Sequence, residues 1–156
     1  MGKGETVERL QKYLDKFDLG LKILIPKGDT STVETAANTL GVEQGQIAKS
    51  LLFRAGCEYV MVVSAGDVRI NDKKLKKITG HKPKLAKPVE VKEITGYSIG
   101  GVCPFDLKNP VTIYLDKSLR RSDVVYVAAG TANSALPINI DQLIEITGGK
   151  EVDVTE

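Results

Sequence analysis

Two adjacent glycines, Gly100 and Gly101, stand just ahead of Pro104 in the segment TGYSIGGVCPF, Thr95–Phe105. Glycine reaches backbone angles closed to other residues and lets a chain approach a ligand closely. Proline fixes φ and has no N–H to donate. The combination predicts a stiff loop, Gly100 and Gly101 through Val102, Cys103 and Pro104, whose N–H groups turn into a cavity. Such a loop binds an anion or a developing oxyanion without any charged side chain. A second segment, QIAKSLLF (Gln46–Phe53), places Lys49 and Ser50 inside an apolar run. A lysine there snorkels to the surface, pairs, or lines a cavity, and snorkelling is the commonest outcome. A third, AAGTANS (Ala128–Ser134), sets small and polar residues after a valine-rich stretch, which reads equally as a turn.

Other chemistry is narrowed by what the chain lacks. The single histidine, His81, lies among lysines, so a Ser–His–Asp or Cys–His catalyst would have to draw on an exposed segment. A zinc site would need His81, both cysteines and a carboxylate to converge, and no ligand spacing points that way. Cys103 sits inside the glycine loop, yet no histidine or second cysteine accompanies it; pocket lining is favoured over covalent catalysis. The expected site holds no metal and no cofactor.

Composition supports one soluble domain over residues 1–156. Apolar residues make up 42% and charged residues 27%, as in globular proteins, and 156 residues can bury a core unaided. No apolar run is long enough to span a bilayer, the N-terminus MGKGETVERL lacks a secretory apolar core, and two cysteines make no disulfide framework. A reducing cytoplasm is the expected compartment. The net charge is only +2, but Lys73–Lys87 contains seven lysines and no acidic residue. A local basic run suggests a polyanion footprint, with Lys73, Lys74, Lys77 and Lys82 as backbone-phosphate contacts; a solvated face is the plainer reading.

The elements that must position these groups follow from periodicity. Val7, Leu10, Tyr13, Leu14 and Phe17 lie on one helical face over Glu5–Phe17. Leu21–Ile25 reads as a short strand closed by Pro26. A helix follows, capped by Ser31 or Thr32 and stopped at Gly41. Ile47–Arg54 and Glu58–Val63 read as strands, Asn71–Thr79 as a helix capped by Asn71, and Pro88–Ile94 as a helix with proline in its first turn. Val111–Leu115 and Asp123–Ala128 are further strands. A loop at Gly130–Ser134 leads through Ala135–Ile138 into a helix at Ile140–Ile146, ended by Gly148–Gly149. This order lacks regular β–α alternation and predicts an α+β fold, a single compact domain with a mixed sheet and helices around it.

The runs TVETAANTLGVEQGQIAKSLLF, TGYSIGGVCPF and VYVAAGTANSALPINIDQLIEITG resemble, in order and spacing, the YbaK/prolyl-tRNA-editing family. These are aminoacyl-tRNA deacylase domains, free-standing or inserted in prolyl-tRNA synthetases. The resemblance runs from about Glu5 to Gly148. It implies that family's fold, in which the mixed sheet is barrel-like, with Lys49 as the pocket lysine and Ser50 at a position often held by a small hydroxyl residue. Gly100 and Pro104 match the ends of a Gly-x-x-x-Pro loop, and Gly130 matches the glycine of the third pocket segment. Relatives often follow that glycine with basic residues and an aspartate. Here Thr131, Ala132, Asn133, Ser134 and Ala135 follow, so substrate contacts fall to Thr131, Asn133, Ser134 or backbone groups. The implied function is trans-editing: hydrolysis of a small amino acid, such as alanine or cysteine, from tRNA-Pro. Backbone oxyanion contacts and a ribose hydroxyl would assist, with aminoacyl-tRNA as partner and an aminoacyl-tRNA synthetase as a second one. A non-catalytic tRNA- or nucleotide-binding module is the main rival. Hydrolysis of a small ester not carried on RNA is a weaker one, because such a substrate needs no extended basic surface.

Overall fold

The longest apolar run makes the central hairpin. In the computed structural model, which describes residues 3–156, β1 (Ile47–Ala55) pairs antiparallel with β2 (Glu58–Ala65), from Ala48↔Ala65 to Ala55↔Glu58. Side chains alternate across the sheet. Ala48 and Leu52, with Met61 and Val63, face the main core. Leu51 and Phe53, with Val60 and Val62, face a smaller cluster that contains Leu75 and Val154. On β2, β4 (Thr112–Asp116) adds in parallel, followed by β7 (Lys150–Val152).

The other edge of β1 carries two strands end to end. β5 (Val125–Val127) pairs in parallel at Ile47 and Ala48 and bears β6 (Leu136–Ile138) on its far side. β3 (Pro83–Leu85) pairs antiparallel at Phe53–Ala55. Between them the edge of β1 has no strand. The result is a mixed sheet of order β6-β5-β1-β2-β4-β7, with β3 beside β1, curled into a half-barrel as the family resemblance implies.

Five α-helices of the described residues surround it: α1 (Lys3–Asp15), α2 (Val33–Leu40), α3 (Asp72–Thr79), α4 (Pro88–Thr95) and α5 (Ile140–Thr147). Their stops are glycines in the left-handed region, which a Cβ would disfavour: Gly41, Gly80, Gly96 and Gly148 close α2 to α5. Thr32, not Ser31, caps α2, through a bond from Thr35 N–H. α1 ends short of Phe17, whose N–H bonds back three residues to Leu14; Asp18 then takes φ 55°.

The structure corrects the sequence reading at several places. Leu21–Ile25 is no strand: Leu24 alone exchanges backbone bonds with Ala135, and Ile25 turns outward before Pro26. The lysine run hides β3, which periodicity over three residues cannot reveal. β6 and β7 are equally short. β7 belongs to a C-terminal segment locked by Asp116, whose fully buried carboxylate accepts from Ser118 N–H, Val154 N–H and the Thr155 hydroxyl at 2.9–3.0 Å.

Candidate active site

The unpaired stretch of β1 is where the cavity opens. It has a volume of about 310 Å³, at the small end for ligand sites. Lys49, Ser50, Leu51 and Leu52 form one wall; Gly100 and Val102 of the glycine loop form another. Ala128 and Ser134 bring in the third segment, and Thr30–Val33 the start of α2. Leu85 and Ile99 also line it and stay 62% and 61% exposed, so they sit at its mouth.

Lys49 and Ser50 are neighbours on a strand and therefore point to opposite faces. Lys49 shares its face with Leu51 and Phe53, and its Nζ donates to the Val68 carbonyl. Burial lowers its pKa below the ordinary lysine range, with Asp67 opposing the shift and Arg69 adding to it. Asp67 is itself held low by a bond from Arg121. Ser50 shares its face with Ala48 and Leu52, toward the main core and Val102. Its Oγ is buried and has no hydrogen-bond partner. Strand alternation also sends the Ser50 backbone groups toward the open edge, in step with Leu52, whose carbonyl accepts there from Ala86 N–H at 2.9 Å.

The glycine loop is a turn, with Gly100 at φ 98°. Gly101 N–H donates to the Ser98 carbonyl at 3.0 Å, so, contrary to the expectation from sequence, it is not a free donor for an oxyanion. The Gly101 carbonyl accepts from Gly130 N–H at 2.9 Å, which zips the first loop to the third segment. The approach is too close for side chains: a Cβ on Gly101 would lie 2.6 Å from the Gly130 carbonyl carbon. Gly130, at φ 89°, packs against Thr6 and Leu10 of α1 and against Tyr97. The Tyr97 hydroxyl donates to the Phe105 carbonyl at 2.6 Å. Arg9 of α1 lies over the Tyr97 ring at 5.8 Å and pairs with Asp106 at 2.8 Å. α1 thus backs both loops, a role its periodicity did not announce.

Several residues expected at the site do structural work instead. Cys103 is wholly buried in the core rather than on the cavity wall, and burial pushes its thiol up to about 12. Pro104 is buried and, like Gly101, Gly130, Thr131 and Asn133, is absent from the lining. Thr131 donates to Asn133 Oδ1 at 3.1 Å. The Ser134 hydroxyl, although beside the cavity, accepts from Ala129 N–H and donates to the Thr131 carbonyl. The Thr30 hydroxyl ties to the Ser134 backbone from both sides. Leu85 and Ala86 bring the end of the basic run to the cavity, but none of its lysines lines it: Lys73, Lys77 and Lys82 are exposed, whereas Lys74 reaches Asp153 at 3.1 Å and the Thr155 carbonyl at 2.7 Å. Among the described residues no His/Cys/Asp/Glu cluster suits a metal ion. No helix among them is long and apolar enough to cross a membrane.

A curled α+β half-barrel with a small cavity let into the broken edge of its central strand defines the class: a pocket-bearing domain with a glycine loop at its site. The sequence profile of the aminoacyl-tRNA editing domain matches residues 27–146, and the chain belongs to that family. It is 44% identical over 122 residues to the uncharacterised protein YwhH of Bacillus subtilis (strain 168), covering 78% of each chain. It is 26% identical over 129 residues to EbsC of Enterococcus faecalis, named as a candidate Cys-tRNA(Pro)/Cys-tRNA(Cys) deacylase, covering 81% of this chain and 79% of that one. A solved structure described as a candidate trans-editing enzyme for prolyl tRNA synthetase superposes with a TM-score of 0.90 at 31% identity, over all of this chain and 99% of that one.

Proposed function

We propose that the protein is an aminoacyl-tRNA deacylase that acts in trans, removing a small amino acid such as alanine or cysteine from mischarged tRNA-Pro. The observation that carries this reading is the convergence of Lys49–Ser50, the glycine loop and the third segment on one small cavity. An aminoacyl ester is already activated, so its hydrolysis needs a positioned water and oxyanion stabilisation more than a strong protein nucleophile. Water bonds to the ester carbonyl carbon, the C–O bond to the ribose breaks, and the ribose oxygen leaves with a proton. The second hydroxyl of the terminal ribose helps to orient the water.

The oxyanion is held by N–H groups of the Gly100–Pro104 loop other than that of Gly101. The start of α2, at the cavity wall, adds the positive end of a helix dipole. Lys49 has three ammonium N–H donors; Val68 takes one, and the others serve a substrate carbonyl or phosphate. Cys103 plays no covalent part, because its thiolate is strongly disfavoured. Exposed Lys73, Lys77 and Lys82 contact the RNA backbone, which positions the ligand without reading sequence.

Single-turnover hydrolysis of alanyl- and cysteinyl-tRNA-Pro by wild type and Lys49→Ala tests the reading. Release by wild type, with a loss of about a hundredfold in the folded variant, supports it; equal rates remove Lys49 from the mechanism. The internal use of the Gly101 N–H and of the Ser134 hydroxyl favours a second reading, a module that binds tRNA without turnover. RNA binding with no release from any ester would select it.

A further inference from the structure

The broken edge of β1 leaves the main chain of one residue free. The Ile47 carbonyl accepts from Gly66 N–H at 2.6 Å, whereas Ala65 N–H, opposite Ala48, turns to the Ser118 hydroxyl at 3.0 Å. Bonding and non-bonding residues alternate in an antiparallel pair, so the odd-numbered residues of β1 bond to β2 and the even-numbered ones face the other edge. There Ala48 pairs with β5, the Leu52 carbonyl accepts from Ala86 N–H at 2.9 Å, and Arg54 lies opposite Lys84 of β3. Among the described residues Ser50 alone, midway between them, meets no strand on that side. Its N–H and C=O are therefore directed at the gap, and Ser50 belongs to the cavity wall. The residue is partly exposed although its hydroxyl is buried, so the surface it presents is main chain and Cβ. Neighbouring polar side chains do not fill the gap: Lys49 bonds to Val68, Ser134 to Ala129 and Thr131, and Thr30 to Ser134. Main-chain groups inside a fold are nearly always paired, so a free donor and acceptor on a cavity wall call for a ligand that supplies both partners.

From this geometry we infer that the aminoacyl group docks on the edge of β1 as a strand one residue long. Its ester carbonyl accepts from Ser50 N–H, and its α-ammonium donates to the Ser50 carbonyl. This rests on the deacylase reading above and deepens it. Two residues facing each other as a bonded antiparallel pair exchange an N–H and a C=O in each direction. An α-amino acyl group carries that donor and that acceptor at the spacing of one residue. A strand added to a sheet edge is gripped through its main chain, whatever side chain it bears. The cavity thus reads the amino acid twice, its side chain by volume and its α-amino group by the Ser50 carbonyl. The bond from Ser50 N–H falls on the oxygen where negative charge develops as water adds. An acyl group without the amine leaves the Ser50 carbonyl stranded and is rejected for that reason.

The test measures kcat/KM on tRNA-Pro carrying alanyl or cysteinyl groups and on the same tRNA carrying their amine-free counterparts, propionyl and 3-mercaptopropionyl. Each value is divided by the spontaneous hydrolysis rate of that ester, which removes the intrinsic effect of the ammonium. Wild type should favour the amino-bearing member of the pair it hydrolyses by roughly tenfold or more. Two variants remove the Ser50 N–H: Ser50→Pro, tolerated where a strand's N–H faces an open edge, and a protein with an ester oxygen in place of that N–H, which keeps the serine side chain. Both should lose about a hundredfold in kcat/KM with Tm near that of wild type; if Ser50→Pro does not fold, the ester-oxygen protein decides. Equal normalised rates on amino-bearing and amine-free esters overturn the inference and leave the deacylase reading intact. So does a folded ester-oxygen protein that turns over at the wild-type rate. Release from none of the four esters removes the deacylase reading and this inference together.

Discussion

Lys49 and Cys103 are the two reactive-looking side chains near the glycine loop, and the fold treats them oppositely. Burial lowers the Lys49 pKa. If the ammonium form serves the reaction, protein-dependent hydrolysis should fall on an alkaline limb below the ordinary lysine range. Lys49→Arg, which stays charged, should move that limb upward; an unmoved limb would mean another group titrates. The same shift bears on stability. Between the lowered folded value and the ordinary one, the unfolded chain binds more protons, so this group makes stability rise with pH through that window. Cys103 is driven the other way, to about 12, inside the core. Iodoacetamide near pH 8 should therefore label exposed Cys57 first and leave deacylation intact; inactivation that tracks modification of Cys103 would contradict this. Lys49, Ser50 and the glycines were legible in the sequence because their types break an apolar pattern. That Lys49 and Ser50 serve opposite faces follows from strand alternation once β1 is known. That Ser50 Oγ lacks a partner depends on residues from four distant segments, and no local signal carries it.

At the scale of elements, the site depends on two loops zipped together and backed by a helix outside the matched family segment. Gly101 and Gly130 meet backbone to backbone, and Thr6, Leu10 and Tyr97 fill the space behind Gly130. Gly101→Ala should push the loops apart and lower turnover by about a hundredfold or more, on the scale of losing an oxyanion donor. Gly130→Ala adds strain at φ 89° and should destabilise the protein by about 1–3 kcal/mol. Turnover by Gly101→Ala at the wild-type rate would show that loop spacing is not critical. The long elements were readable in advance: β1, β2 and the capped helices carry their period and caps within ten residues. β3, β6 and β7, with three residues each, are strands only because a longer neighbour offers an edge. Leu21–Ile25 had strand composition but found a partner at Leu24 alone.

For the whole molecule, a buried carboxylate is one of the groups that hold the C-terminal segment. Asp116→Ala strands Ser118 N–H, Val154 N–H and the Thr155 hydroxyl. It should lower stability by about 3 kcal/mol, which for a chain of this size moves Tm down by roughly 6–12 °C; an unchanged Tm would mean the segment contributes little. The basic face belongs to this scale as well. Lys74 helps hold the same segment through Asp153, a contact that its lysine-rich sequence context concealed. Reversing Lys73, Lys77 and Lys82 to glutamate should weaken tRNA binding and flatten its salt dependence without lowering Tm; an unaltered salt slope would make the run a solvated face. All these expectations converge on one activity. The most direct test is release of amino acid from a panel of labelled aminoacyl-tRNAs, tRNA-Pro charged with alanine, cysteine and proline beside cognate alanyl-, seryl- and threonyl-tRNAs. Fast release from a mischarged species with cognate pairs spared is the result predicted. Bound tRNA with every ester left intact would contradict it.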